Sequence, residues 1–178
     1  MSSPSLTPEA ATAPVGAVAG NAPTRRRTRR LRTLRLVREG PFPAPENYPT
    51  ASLPIRTSRD VFDRMVPYAE REPVEVFWLL ALDSQHRLIG GAPQAITRGI
   101  LNSSLVHPRE VFCAAIVSRA ASVILCHNHP SGDPTPSADD RAVTRQLVDA
   151  GRLLDIPVDD HVIVGREAYL SFAEQGLL

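Results

Sequence analysis

The sequence predicts an α/β domain with a mixed central β-sheet flanked by helices, and three observations carry that prediction. Apolar runs of strand length occur at 74–82 and 120–126, rich in Val, Ile, Leu, Phe and Trp. Elsewhere, apolar residues recur at helical spacing, as in Val111, Phe112, Ala115 and Ile116. Strand and helix signals intermix along the chain, with no internal repeat. A length of 178 residues, 43% of them hydrophobic, suffices for one domain with a core plus an appendage, and not for two large domains.

The appendage comes first. Residues 1–23 are mostly Ala, Pro, Ser, Thr and Gly with one charge, Glu9, and such a composition buries too little surface to offset its ordering entropy, so a disordered tail is expected. Residues 24–40 form an Arg-rich arm carrying Arg25, Arg26, Arg27, Arg29, Arg30, Arg32, Arg35 and Arg38. It reads as a short segment for nonspecific DNA or another polyanion, or equally as a solvated or processed tail. No aromatic residue interrupts the cluster, so any nucleic-acid contact is expected to be phosphate-directed rather than base-stacking. Residues 41–52, with Pro41, Pro43, Pro45 and Pro49, form a Pro-rich linker, which leaves 53–178 as the folded domain. The net charge of +1 hides an asymmetry: residues 1–40 hold eight Arg against two Glu, and the remainder twelve Arg against seventeen acidic residues. Every basic residue is Arg, which excludes lysine Schiff-base chemistry.

Within the domain, Thr57 or Ser58 can cap a helix that packs Val61, Phe62, Met65 and Val66 on the core and that Pro67 should end. The strand 74–82, a turn at Asp83–His86 and a second strand from Arg87, interrupted at Gly90 and Gly91, predict a hairpin. Pro108 suits a first helical position, with Val111, Phe112, Ala115 and Ile116 facing inward toward Arg119. The strand 120–126 follows. Ser137 then opens a helix with Ala142, Val143, Leu147 and Ala150 on its apolar face, ending near Gly151. Asp160–Val164 is the last clear strand, followed by a terminal segment with Tyr169 and Phe172. Cys113 and Cys126 lack C-x-x-C spacing and read as small core residues. No apolar run approaches a membrane span and no secretory signal opens the chain, so a cytoplasmic protein without membrane contact is expected. Oligomeric state is not encoded legibly.

Chemistry concentrates in His127-Asn128-His129-Pro130-Ser131-Gly132-Asp133-Pro134-Thr135-Pro136-Ser137-Ala138-Asp139-Asp140. Alternation along a strand puts His127 and His129 on one face at its C-terminal end and turns Cys126 and Asn128 the other way. Pro130 stops the strand, and a Pro- and Gly-rich loop can return the chain so that Asp140, in the first turn of the next helix, lies near both imidazoles. Two His and one Asp would leave the fourth tetrahedral position of a zinc ion open to water, which is a catalytic arrangement. The competing reading is structural: Ser137 with an acid three residues later also makes a capping box with no metal present.

His127-x-His129, seven residues, then Ser137-x-x-Asp140 resembles the JAMM motif of JAB/MPN domain metalloproteases. Val106-His107-Pro108-Arg109-Glu110-Val111-Phe112 upstream, and Asp160-His161-Val162-Ile163-Val164-Gly165 and Ser171-Phe172-Ala173-Glu174 downstream, are similar to the RadC-type branch of that family. The resemblance covers roughly 53–178 and implies a JAB/MPN-like fold with a cytidine deaminase-like layered architecture. It further implies that His127, His129 and Asp140 bind one Zn2+ per chain, that Ser137 steadies an oxyanion, and that an upstream glutamate moves the proton. Glu75, at the start of an apolar strand where a carboxylate can be partly desolvated, reads by itself as a solvated strand end or a base; the resemblance selects it. Glu72 is the second candidate, while Glu110 is explained by helix capping. His86 and His107 read as turn or cap residues, and His161 as a structural or supporting residue.

Two functions follow from these readings. One is a zinc-dependent metallopeptidase or isopeptidase acting on a peptide or isopeptide substrate with a glutamate general base. The other is a DNA-associated accessory protein, linked to DNA repair, whose metal site is structural or vestigial. A zinc nucleobase deaminase is excluded because the chain lacks a Pro-Cys-x-x-Cys ligand pair.

Overall fold

The computed structural model describes residues 53–99 and 106–178. The expected tail, arm and linker lie outside them. Five strands form one sheet: β1 (Val76–Leu82), β2 (Gln94–Arg98), β3 (Ser122–Asn128), β4 (Val158–Val164) and β5 (Tyr169–Ser171), in the order β2-β1-β3-β4-β5. All neighbours are antiparallel except β3 and β4, so the sheet is mixed, as the sequence predicts. Helix α1 (Ser58–Ala69) packs its Val61, Phe62 and Met65 into a cluster with Trp78, Leu80, Ile124 and Cys126. On the other face, α2 (Pro108–Ser118) and α3 (Ala138–Leu154) cover Phe77, Leu79, Val123 and Leu125 with Val111, Phe112, Val143 and Leu147. Because both faces are covered, β1 and β3 are buried at every position, which is why β1 and the Val123–Cys126 stretch of β3 read as continuous apolar runs. A parallel pair needs a crossover, and α3 supplies it between β3 and β4. The end of β3, the start of α3 and the start of antiparallel β1 therefore meet at one end of the central strands.

Local chemistry sets the helix ends, and several depart from expectation. Thr57 caps α1 through a capping box with Asp60. Pro67 lies inside α1 rather than ending it: it stands near the C-terminal end, where its missing N–H removes one helical bond, and the last turn still closes through Glu70 N–H donating to Val66 O at 2.9 Å. His107 caps α2, its Nδ1 accepting from Arg109 N–H, and Pro108 takes the first turn. On α2, Ile116 is 55% exposed and Cys113 is exposed, so the apolar face is narrower than its periodicity suggests. On α3 the inward stripe is Val143, Leu147 and Val148, with Ala142 exposed.

Gly151 does not end α3, which runs on to Leu154 before Asp155 adopts the left-handed cap conformation. The glycine is there for contact, since a Cβ would lie 2.6 Å from Ile156 O and 3.1 Å from the Phe112 ring. In the predicted hairpin, the return strand begins at Gln94 and not Arg87. Leu88 makes only an isolated bridge to Leu82, and the chain then passes through a 3-10 turn at Ile89–Gly91 with Gly90 at φ 78° and Gly91 at φ 75°. β4 starts at Val158, two residues before the expected Asp160, so His161 sits inside the strand, fully buried. The neighbouring Asp160 carboxylate accepts from the Ser58 and Ser171 hydroxyls and from His161 and Ala173 N–H, tying β4 to α1 and β5.

Candidate metal centre

β3 pairs His127 with Phe77 of β1, and its ring is fully buried on the α3 face of the sheet. His129 follows just past the strand. Its Nδ1 lies 2.6 Å from Asp133 O; a carbonyl can only accept, so Nδ1 donates and Nε2 turns toward His127. The loop beyond is held to the β4–β5 turn by Arg166 N–H donating to Gly132 O at 3.2 Å. Gly165 permits this approach, because a Cβ there would lie 2.3 Å from the same carbonyl oxygen. The loop thus returns the chain to the imidazoles, as the prolines and glycine suggest.

At the start of α3, Ser137 Oγ accepts from Asp140 N–H at 3.1 Å and Asp140 Oδ2 accepts from Ser137 N–H at 2.8 Å, completing the capping box. The Ser137 hydroxyl donates to the same Oδ2 at 2.6 Å. Asp140 Oδ1 is 3.3 Å from His127 Nε2, and Oδ2 is 3.7 Å from His129 Nε2. The two Nε2 atoms stand 3.0 Å apart. Glu75, immediately before β1, places Oε1 3.6 Å from His129 Nε2 and 4.0 Å from His127 Nε2. One ligand atom from each of Glu75, His127, His129 and Asp140 falls within 4.8 Å of all the others.

The structural and metal readings of Ser137–Asp140 are therefore compatible: Oδ2 caps the helix and also lies near His129, while Oδ1 is free of the cap and faces His127. Burial alone would raise the Asp140 pKa, but the hydrogen bonds and charge it meets from the imidazole side, and the Ser137 hydroxyl, hold it well below the usual carboxylate range. The Asp140 hydrogen bond likewise raises His129 above the ordinary imidazole value, against its partial burial. A site that favours a carboxylate anion beside two convergent imidazole nitrogens has the charge and N/O donor set that suit a divalent metal ion.

A model of the RadC-like JAB domain matches residues 55–177. The chain belongs to that family. Its relatives include the UPF0758 protein STH371 of Symbiobacterium thermophilum, 45% identical over 130 residues that make up 73% of this chain and 55% of the relative. A UPF0758 protein of Pelobacter propionicus is 53% identical over 104 residues, 58% of this chain and 44% of that one. Another, from Methanococcoides burtonii, is 45% identical over 124 residues, 70% and 53% of the two chains. The chain spans about half the length of the curated relatives it matches.

In this RadC-like JAB domain the remaining sequence candidates separate by position. The Glu72 carboxylate pairs with Arg98, away from the four-residue group, and Glu110 pairs with Arg109 on the exposed start of α2. His86 lies in the β1–β2 connection with a positive φ. Two residues beyond the sequence expectation matter. Asn128 accepts from Val76 N–H at 2.8 Å and donates to Val74 O at 3.1 Å, gripping the backbone on both sides of Glu75. Thr144, one turn after Asp140 and fully buried, reaches His161, which in turn touches His127. Asn128 is signalled only by its place between the histidines, and Thr144 only as a polar residue on the buried face of α3. Among the described residues no helix is long and apolar enough to cross a membrane.

Proposed function

We propose that this domain is a zinc-dependent metallohydrolase that cleaves peptide or isopeptide amides, with His127, His129 and Asp140 as ligands, Glu75 as general base and Ser137 as oxyanion donor. One observation carries the reading: the Glu75 carboxylate joins the two imidazoles and Asp140 in a single group. It is also the most solvent-accessible of the four, its side chain 24% exposed against 14% or less for the others. That exposure supports a base on the side open to solvent and therefore to substrate and water. A zinc ion held there supplies Lewis acidity toward the amide carbonyl and a water molecule. Glu75 takes a proton from the attacking water as the oxygen bonds to the carbonyl carbon, then delivers it to the amine nitrogen as the C–N bond breaks. The Ser137 hydroxyl, turned from Asp140 toward the carbonyl oxygen, donates to the developing negative charge.

The test begins with elemental analysis of the full chain purified without chelator, where about one zinc per chain is expected, with severe loss in His127→Ala, His129→Ala and Asp140→Ala. Cleavage is then screened on a peptide library that includes isopeptide-linked members. Glu75→Gln should keep its zinc and lose at least about 10²-fold in hydrolysis. Full zinc occupancy after both histidines are replaced would remove the site, and undiminished cleavage by Glu75→Gln would remove the base.

A further inference from the structure

We infer that His161 and Thr144 fix the tautomer of His127, so that its Nε2 presents a lone pair, and not an N–H, to the metal position. The inference rests on the reading of Glu75, His127, His129 and Asp140 as a metal centre, and it gives His161 and Thr144 a role as positioning residues.

The argument starts at a helix carbonyl. Thr144 Oγ1 lies 2.6 Å from Asp140 O and 2.6 Å from His161 Nδ1. Its hydroxyl carries one proton for two neighbours. Two oxygens at 2.6 Å with no proton between them repel, and a carbonyl cannot donate, so the proton belongs to the bond with Asp140 O. Thr144 then offers His161 only a lone pair, which obliges His161 Nδ1 to carry the hydrogen. A neutral imidazole has one N–H, so His161 Nε2 is bare. That atom lies 2.8 Å from His127 Nδ1. His127 must therefore place its own N–H on Nδ1, leaving Nε2 bare opposite His129 and Asp140.

Packing prevents an escape from this sequence. The His161 ring is fully buried, stacked on Phe172 at 4.8 Å and edge-on to Phe77 at 5.4 Å, so it cannot turn without displacing both phenyl rings. The same apolar enclosure disfavours an imidazolium. Register supplies the geometry: β3 and β4 run parallel with Leu125 opposite His161, so His161 and His127 lie on one face as diagonal neighbours. Histidine ligands commonly donate their second N–H to a carbonyl or carboxylate. His129 does so to Asp133 O, whereas His127 has no such acceptor within the metal-binding loop and uses a second histidine on β4 instead.

The experiment has two arms. In the first, the metal-free full chain is labelled with 15N and the imidazole resonances of His127 are assigned at pH 8. The expected result is the Nδ1–H tautomer; a predominant Nε2–H tautomer overturns the inference. In the second, zinc affinity is measured by competition with a chromophoric chelator. Thr144→Val, which keeps the shape and removes the oxygen, and His161→Phe should each bind zinc about 10- to 100-fold more weakly, with Thr144→Ser close to wild type. Wild-type affinity in Thr144→Val overturns the inference as well. A wild-type chain that binds no zinc refutes the metal centre itself, and the spectrum of that same chain still decides the tautomer, so the two failures are distinguishable.

Discussion

Asn128 holds the backbone on both sides of Glu75, bonding the N–H of the residue after it and the carbonyl of the residue before it. The side chain between the two histidines thereby couples the end of β3 to the start of β1. Replacing it by alanine leaves the buried Val76 N–H unpartnered, at a cost of about 1–3 kcal/mol. Asn128→Ala should therefore keep its zinc but lose turnover, with kcat falling more than KM rises, because the base is displaced while the ligands are not. Steady-state kinetics beside elemental analysis checks this. Unchanged kcat in a folded variant would mean that Glu75 needs no such support.

Ser137 works on both the helix and the Asp140 carboxylate. Its oxygen caps α3 and its hydroxyl donates to Asp140 Oδ2. Ser137→Ala should cost about 1 kcal/mol through the cap and slow hydrolysis about 10²-fold through the lost oxyanion donor. Ser137→Thr retains an oxygen at the cap and should recover most of the stability. Thermal denaturation and turnover measured together separate the two effects, and a stability loss with normal turnover would confine Ser137 to the helix end.

The His129–Asp140 contact predicts a pH dependence for folding and, at the proposed metal centre, for metal affinity. His129 is raised above 6.5 in the folded chain by its hydrogen bond to Asp140. A raised folded pKa stabilises the fold fully below the unfolded value, and that contribution disappears as pH rises through the folded pKa. His129→Gln should consequently destabilise the metal-free protein more at pH 6 than at pH 8. Metal binding runs the other way, because the ion must displace the His129 proton: apparent zinc affinity should fall about tenfold per pH unit once the pH drops below the raised pKa. Asp140, held below its usual range, adds no proton competition until strongly acid pH. Chelator competition from pH 6 to 8 measures the slope, and a flat profile would exclude His129 as a ligand.

What could be read from the sequence was whatever depends on one element at a time. Alternation places His127 and His129 together, and Pro130, Gly132 and Ser137 announce the loop and the helix that returns Asp140 to them. β1 is apolar throughout, and β3 is apolar from Val123 to Cys126, because helices cover both faces. Gly151 and Pro67 mislead for a physical reason: each usually ends a helix, but Gly151 is required by contact with Ile156 and Phe112, and Pro67 stands in a final turn that has few bonds to lose. Ile116 and Cys113 continue an apolar pattern past the width of the surface that α2 covers. Asn128, Thr144 and His161 acquire their partners only when β1, β3, β4 and α3 come together, so the sequence marks Asn128 by position alone, Thr144 as a polar residue on a buried helix face, and His161 as a supporting residue whose partner it does not name.

The Arg-rich arm remains a proposal that rests on charge alone. Residues 1–40 carry a net positive charge while the rest of the chain is net acidic, so a polyanion is attracted to one end and repelled by the other. Full-length protein should bind duplex DNA without sequence preference, and deletion of residues 1–40 should abolish that binding, since the remaining domain offers phosphates no compensating field. If all eight arginines contact phosphates, the logarithm of the binding constant should fall with the logarithm of salt concentration at a slope of roughly −7, and fewer contacts flatten it in proportion. Zinc content and amide hydrolysis should be unaffected by the deletion, because Glu75, His127, His129 and Asp140 all lie in the domain. Fluorescence anisotropy across a salt series measures the first and elemental analysis the second. Equal DNA affinity in the truncated chain would eliminate the arm as a binding segment; loss of hydrolysis on truncation, with zinc retained, would instead place it in substrate capture.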